Sequence, residues 1–461
     1  MSEAPGRQRL RREAARRQHP PRTNLLVSAR ATTAACVARF LRRAWVGLRT
    51  VFSDGRSRQY APAILPNRRP KSWDNWREKD AAASLRFIFE HELYSDSVMH
   101  GVARVFGPYE LVNLIAGDRK FETCRPVLAL RVGYHMSAQI EDADLRLRGG
   151  TAEEVASLVA LVLAIRLRAA DYSRVFHFDQ DGEDALGRPC TVARMTKPYL
   201  PHGPMTPVIA RAERIADLDE LELLDSYATI ASAEQVTALV RAARLYQDAL
   251  WVSERDPALA WLFLVSAVET AAASYFAGKS LSAVDTLREM RPMIAEACEK
   301  HGLDHLQVVA NELATVSGAQ KKFLGFIETF RPPPPTERPK EYRQEWDWKA
   351  LKKSLRKVYE LRSRALHAGD QIPIELCGTP LPYGGAPCER VRDFVGESRQ
   401  PHGSHIIDEG FPMYLHVFEY IVQGSLVAWW RFLAPTPAPS TPASPAPIEG
   451  TSRGDGDLPP R

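Results

Sequence analysis

An α+β unit followed by an all-α helical bundle, with a tail lacking any core pattern at each end, is the fold the sequence predicts for this chain of 461 residues. Three observations predict it. Charge is segregated: residues 1–71 hold 17 Lys/Arg against three acidic residues, leaving 44 basic and 53 acidic residues beyond them. Between residues 73 and 232, short aromatic and branched runs surround one long apolar run, whereas from Ala233 to Leu433 apolar positions recur at helical spacing only. The 34 prolines concentrate at 331–339 and past residue 434, where they exclude packed elements. The expected division is a basic, mostly disordered extension over 1–72, an α+β domain over 73–232, an all-α domain over 233–435 and a Pro-rich disordered tail over 436–461.

Composition narrows the class further. With 45% hydrophobic and 25% charged residues the chain matches an ordinary globular protein, which excludes collagenous and wholly disordered classes. Six cysteines without a C-x-x-C pair fit a reducing, cytoplasmic setting rather than a disulfide scaffold. In the extension, Val37, Phe40, Leu41, Ala44, Trp45, Leu48 and Phe52 share helical spacing with arginines between them, the pattern of a basic amphipathic helix.

In the α+β part, Ala81–Ala116 reads as helical segments stopped by Gly117, and Pro126–His135 as a strand, with Asp142–Arg148 a short second one. Thr151 and Glu154 form a capping box ahead of the apolar run Val155–Leu167. Tyr172–Phe178 and Pro189–Met195 read as strands joined by the loop Asp179–Arg188, with Thr206–Ile209 another. Helices then follow at Ala233–Val252, Ala258–Ala277 (N-cap Asp256, stop Gly278), Ala283–His301, Leu303–Ser317, Gln320–Phe330, Lys349–His367 and Pro412–Leu433. Two apolar stretches are weighed as membrane spans. Val155–Leu167 is too short for the ~20 residues a spanning helix needs. Met413–Leu433 carries His416, Glu419, Gln423 and Arg431, so both read as buried core helices, and no span is predicted.

The chemistry concentrates in Lys349–His367. There Leu351, Leu355, Val358, Tyr359, Arg362, Ala365 and Leu366 fall on one helical stripe, and a guanidinium on such a stripe needs a partner or an interface. His367 follows five residues later, in the last turn before Gly369, where the helix dipole favours a cation.

The segment Val358-Tyr-Glu-Leu-Arg-Ser-Arg-Ala-Leu-His-Ala-Gly369 resembles the R-x-x-x-x-H signature of the HEPN superfamily, most closely its Apea-like branch. The resemblance covers about residues 233–435: Ala258–Ala277, with Ser266-Ala-Val-Glu269, resembles the early core helix of that family, and the helix bearing Phe418-Glu419 and Trp429-Trp430 its last one. It implies a helical bundle acting as a homodimer, and either a metal-independent endoribonuclease leaving 2′,3′-cyclic phosphate ends or an RNA-binding effector, as in bacterial defence or toxin systems. By that resemblance Arg362 binds or polarises the scissile phosphate and His367 transfers protons, with Ser363 and Glu269 in support. Ser363 stands where active members commonly carry Asn, Asp or His. The alternative is a non-catalytic interaction module: Arg362 is then paired with Glu269 or Glu360, His367 caps the helix, and the first domain contacts a protein partner.

Other signals are set aside. Cys377, Cys388, His402 and His405 lack the paired spacing of a zinc site, and Asp179, Asp181 and Asp184 lack the closing glutamate of a calcium loop, so they read as a hairpin turn. Neither a G-x-G-x-x-G nor a Walker loop occurs. No metal and no cofactor are predicted.

Overall fold

The computed structural model describes residues 70–79, 87–114, 124–135, 148–179, 182–183, 186–189, 198, 200, 207–209, 212, 214–279, 282–383, 385–391 and 412–434. The chain divides into two units, residues 1–66 and 67–461, and every described residue lies in the second.

The first helix, α1 (Lys71–Lys79), is part of that body, with Ser72, Trp73 and Asn75 buried. The Ser72 N–H donates to Glu154 at 2.9 Å, and its hydroxyl lies 2.9 Å from the Tyr227 hydroxyl. Asn75 donates to the Gly133 carbonyl at 2.9 Å and accepts from the His135 N–H at 2.8 Å. The extension expected over 1–72 therefore overreaches: the division falls after Pro66, and residues 71–72 are bonded into the core.

Where helices were expected over Ala81–Ala116, the structure holds four strands: β1 (Phe87–Ser95), β2 (Val98–His100), β3 (Ala103–Phe106) and β4 (Tyr109–Asn113). Two left-handed glycines set the turns. Gly101 (φ +87°) precedes β3 and Gly107 (φ +55°) opens the two-residue β3/β4 hairpin, and at Gly107 a Cβ would fall 2.1 Å from the Trp76 ring. β1 lies between two neighbours and buries residues on both faces, so its sequence shows no clean alternation.

Of these, β1, β3 and β4 join β5 (Arg125–Tyr134), β6 (Arg168–Asp179), β7 (Gly182–Glu183) and β8 (Arg188–Pro189) in an antiparallel sheet of order β3-β4-β5-β1-β6, in which both β7 and β8 pair with β6. The strands expected at Pro126–His135 and Tyr172–Phe178 are present. Asp179 pairs with Gly182, while Asp181 and Asp184 of the predicted turn lie outside the described residues. Of Pro189–Met195 only Pro189 is described as strand, and residues 142–147 lie outside the described residues. Val208–Ile209 is a turn instead of the strand expected over Thr206–Ile209, and a short β9 (Ile215–Asp217) pairs with β2 in parallel.

The capping-box reading at Thr151 is corrected as well. Helix α2 runs Arg148–Leu163, so Thr151 lies inside it and is buried. The two glutamates serve tertiary contacts instead: Glu153 accepts the Ala169 N–H at 2.9 Å and pairs with Arg168, while Glu154 holds Ser72. Burial pushes both carboxyls above the usual carboxylate range. Ala164 (φ +54°) ends the helix, and β6 starts at Arg168, so the expected continuation to Leu167 is not made. Val155, Ala156, Leu158, Val159, Ala160 and Leu161 are all buried because α2 has the sheet on one side and helices on the other.

Those helices are α3 (Ala233–Val252), α4 (Pro257–Tyr275), α5 (Ala283–Met290), α6 (Pro292–Glu299), α7 (Leu303–Phe330), α8 (Trp348–His367) and α9 (Leu415–Leu433). Asp256 caps α4 by accepting the Leu259 N–H at 2.9 Å, and Gly278 (φ +75°) lies just past its end, as expected. Ala283–His301 is not one helix. Pro292 cannot donate to the preceding turn and starts α6 instead. Conversely, Leu303–Ser317 and Gln320–Phe330 are one helix, α7, carried through Gly318 by burial of Phe323, Leu324, Phe326 and Ile327.

One apolar core runs from Trp73 to Ala434 through sheet, α2 and helices. The α+β and helical parts thus share it, and residue 233 marks the start of a layer. α9 is the buried core helix expected: Trp429, Trp430 and Phe418 are inside, and Gln423 donates to the Leu161 carbonyl at 3.0 Å. Among the described residues, α4 is long and apolar enough to cross a membrane by length and composition; here it packs against α3, α7, α8 and α9, with Trp261 stacked on Phe418.

Candidate functional site

Helix α8 opens at Asp347, whose carboxylate accepts the Lys349 and Ala350 N–H groups at 3.0 and 3.2 Å. Its buried residues are Leu351, Leu355, Val358 and Tyr359. The predicted stripe therefore holds for three turns and then leaves the core: Ala365 is half-buried, and Leu366 is 39% exposed.

Arg362 lies where the helix emerges. Its Nη2 is 2.5 Å from Glu269 Oε2 on α4, and the Tyr359 hydroxyl donates to Glu269 Oε1 at 2.8 Å. The guanidinium also lies 5.7 Å from the Tyr359 ring centroid, within cation–π range. One carboxylate thus takes a donor on each oxygen, and both donors come from α8. Burial and the neighbouring Glu269 charge push the Tyr359 phenol well above its ordinary value, so it remains a proton donor. The Arg362 side chain is only 18% exposed, and its Nε donates to nothing among the described residues.

His367, the last residue of α8, is exposed. The helix closes around it through the Ala368 N–H to the Arg364 carbonyl at 2.8 Å and Gly369 at φ +75°. Five residues of α-helix turn through about 140°, so Arg362 and His367 point to different sides of α8. Ser363 is half-buried between them, and Glu360, the other acid weighed for Arg362, is exposed. The structure thus joins Arg362 to Glu269 and leaves His367 apart from both within one chain.

No family model, no curated protein and no solved structure matches this chain.

Sequence reasoning missed Tyr359 as the third member of the cluster, although a tyrosine three residues before an arginine on one helix face is a legible signal. It also missed a fully buried charge at the joint between the layers. Arg166 Nη1 and Nη2 reach Asp96 and Glu254 at 2.5 and 2.6 Å, and its Nε donates to the Leu250 carbonyl at 3.0 Å. That cluster ties the end of α2 to β1 and α3.

Of the residues weighed for zinc, Cys377 is half-buried and Cys388 buried, while His402 and His405 lie outside the described residues. Burial and the nearby Asp256 charge push the Cys377 thiol up to about 11, away from the thiolate a metal requires. No group of three or more His, Cys, Asp or Glu among the described residues is placed to hold a metal ion.

Proposed function

We propose that this chain is a HEPN-like, metal-independent endoribonuclease that acts on single-stranded RNA as a homodimer in the cytoplasm, in a bacterial defence or toxin setting. The observation that carries the reading is Arg362 fixed by Glu269 and Tyr359, one and a half turns before an exposed His367 at the helix end. A guanidinium held in place meets a phosphate with little reorganisation, and an imidazole at a helix terminus can carry a proton.

In the reaction proposed, a ribose 2′-hydroxyl loses its proton and attacks the adjacent phosphorus. The bond from phosphorus to the 5′-oxygen breaks, and that oxygen takes up a proton. Arg362 stabilises the charge on the phosphate and His367 moves the proton, with the second copy's pair completing the cleft. The products carry a 2′,3′-cyclic phosphate and a 5′-hydroxyl.

The test is incubation of the full-length protein with single-stranded RNA, with and without chelator. Cleavage indifferent to chelator, cyclic-phosphate ends and loss of activity in His367→Ala are expected, with a dimer by light scattering. RNA left intact by folded wild-type protein overturns the reading.

A second reading has its own support. Because Glu269 already neutralises Arg362, the pair also suits a purely structural tie in a non-catalytic interaction module, with the α+β part meeting a protein partner. Arg362→Ala then unfolds the protein and changes no chemistry.

A further inference from the structure

The carboxyl-terminal ends of α4, α7 and α9 meet in a cluster of aromatic rings that reaches the surface. Tyr275 ends α4, Phe330 ends α7, and Phe432 lies in the last turn of α9. Tyr275 meets Phe330 edge to face at 4.9 Å and Phe432 at 5.9 Å, and Phe330 and Phe432 are 5.6 Å apart. Phe276 stands 4.9 Å from Tyr275 and packs over Gly325 of α7, where a Cβ would come within 3.1 Å of its ring. Phe330 is buried, Tyr275 and Phe276 are half-buried, and Phe432 is 61% exposed. Phe432 thus leans on two rings and turns the rest of its surface to water.

A single exposed apolar residue is ordinary on a protein surface; the cations beside this one set it apart. Lys279 is exposed, and its Nζ lies 3.4 Å from the centroid of the Tyr275 ring and 5.5 Å from that of Phe276, so cation–π attraction holds it. Arg431, the residue before Phe432, is exposed as well. Neither cation is paired with an acid among the described residues. Three helix ends, each the negative end of a dipole, favour positive charge here. The fold therefore stations both cations beside the rings before any ligand arrives.

An open ring flanked by fixed cations suits a nucleobase and its phosphate: the base stacks on the ring whatever its identity, and the cations meet the backbone charge. A lipid surface is the poorer complement, because one open ring offers little apolar area to an acyl layer. The location also fits a strand whose phosphate reaches Arg362. Glu269, which holds Arg362, and Phe276 are seven residues apart along α4 and its cap, so they share one side of that helix, about 10 Å apart along its axis.

We infer that Phe432, backed by Tyr275 and flanked by Lys279 and Arg431, is a stacking platform for a base of single-stranded RNA. The inference rests on the RNA reading of the helical layer and adds where the strand is gripped away from the bond that is cut.

The test uses the full chain and a fluorescent single-stranded RNA that carries photoreactive iodouridine and methylated 2′-hydroxyls, so that the proposed attack is blocked. Binding is measured for wild type, Phe432→Ala, Phe432→Leu, Phe432→Trp and Lys279→Gln. Phe432→Ala and Phe432→Leu are each expected to lose about five- to a hundredfold in affinity, the loss of one stacked base, while Phe432→Trp retains it. Leucine keeps an apolar surface, so its failure separates stacking from plain contact. Lys279→Gln is expected to flatten the slope of log affinity against log salt by about 0.7. Cross-linked peptides are expected to contain Phe432. Unchanged affinity in Phe432→Ala, full affinity in Phe432→Leu, cross-links confined to residues 1–71, or tighter binding to anionic vesicles than to RNA overturns the platform. Unmodified RNA cut equally well by wild type and Phe432→Ala leaves the nuclease standing without the platform. RNA held through Phe432 but never cut supports the platform and removes the nuclease.

Discussion

Arg362 and His367 share one helix and face different ways: the first is drawn inward to Glu269 at 2.5 Å, the second stands in solvent at the helix end. Substitutions at the two positions therefore separate stability from chemistry. His367→Ala is expected to leave the melting temperature nearly unchanged, because an exposed imidazole contributes only ~0.3–1 kcal/mol through the helix dipole. Arg362→Met and Glu269→Gln should each lower stability by about 1–3 kcal/mol, since each leaves a partly buried charge without its counter-charge. A double-mutant cycle by urea unfolding checks the tie; a coupling energy of zero would show that the pair contributes nothing.

Acid should weaken the fold through His91. This residue is fully buried between β5 and β6, its Nδ1 3.3 Å from the Ala170 carbonyl, and burial lowers its pKa from 6.5 to about 4. The folded protein keeps it neutral while the unfolded chain protonates below pH 6.5. Its contribution is thus intact above pH 6.5 and falls away as pH drops toward 4, by about 3 kcal/mol in all. Unfolding curves at pH 7, 6 and 5 should show the loss in wild type and a shallower one in His91→Gln. Identical pH slopes for the two proteins would sink the assignment.

Arg166→Ala should be among the most damaging single changes. It removes the cation that Asp96 and Glu254, both nearly buried, face, and a broken buried pair costs about 3–5 kcal/mol. Arg166→Ala with Asp96→Asn and Glu254→Gln should recover part of the loss. If the triple variant is no more stable than the single one in calorimetry, uncompensated charge is not the cause.

Truncation tests the boundary. Removing residues 1–66 should leave the melting temperature of the body almost unchanged, whereas removing 1–79 should lower it by many degrees, because it takes away buried Trp73 and the bonds of Ser72 and Asn75. Equal melting temperatures for the two truncations would refute the docking of α1.

Cys377 should alkylate slowly at neutral pH, its thiol held protonated by burial and by Asp256. Iodoacetamide labelling followed by peptide mass analysis, with Cys298 as the comparison, measures it; faster labelling of Cys377 than of Cys298 contradicts the environment described.

By itself the sequence determined the elements whose information is local. α3 falls on Ala233–Val252 as its periodicity dictates, α4 starts at the Asp256-Pro257 cap, and β5 occupies a branched run bounded by turn residues. Glu269 and Glu360 could be named as partners for Arg362 because a guanidinium on an apolar stripe must find an acid, and the fold chose Glu269. Only the tertiary structure decided what depends on neighbours distant in sequence. β1 shows no alternation because β5 and β6 cover its edges and both its faces are buried, so its apolar run reads equally well as helix. Glu153 and Glu154 look like capping residues until Ser72 and Ala169 claim them. Local rules fix which backbone hydrogen bonds a segment can make alone; which bonds and charges it then shares across the core is set by long-range packing, and that packing divides α8 into an inward arginine and an exposed histidine.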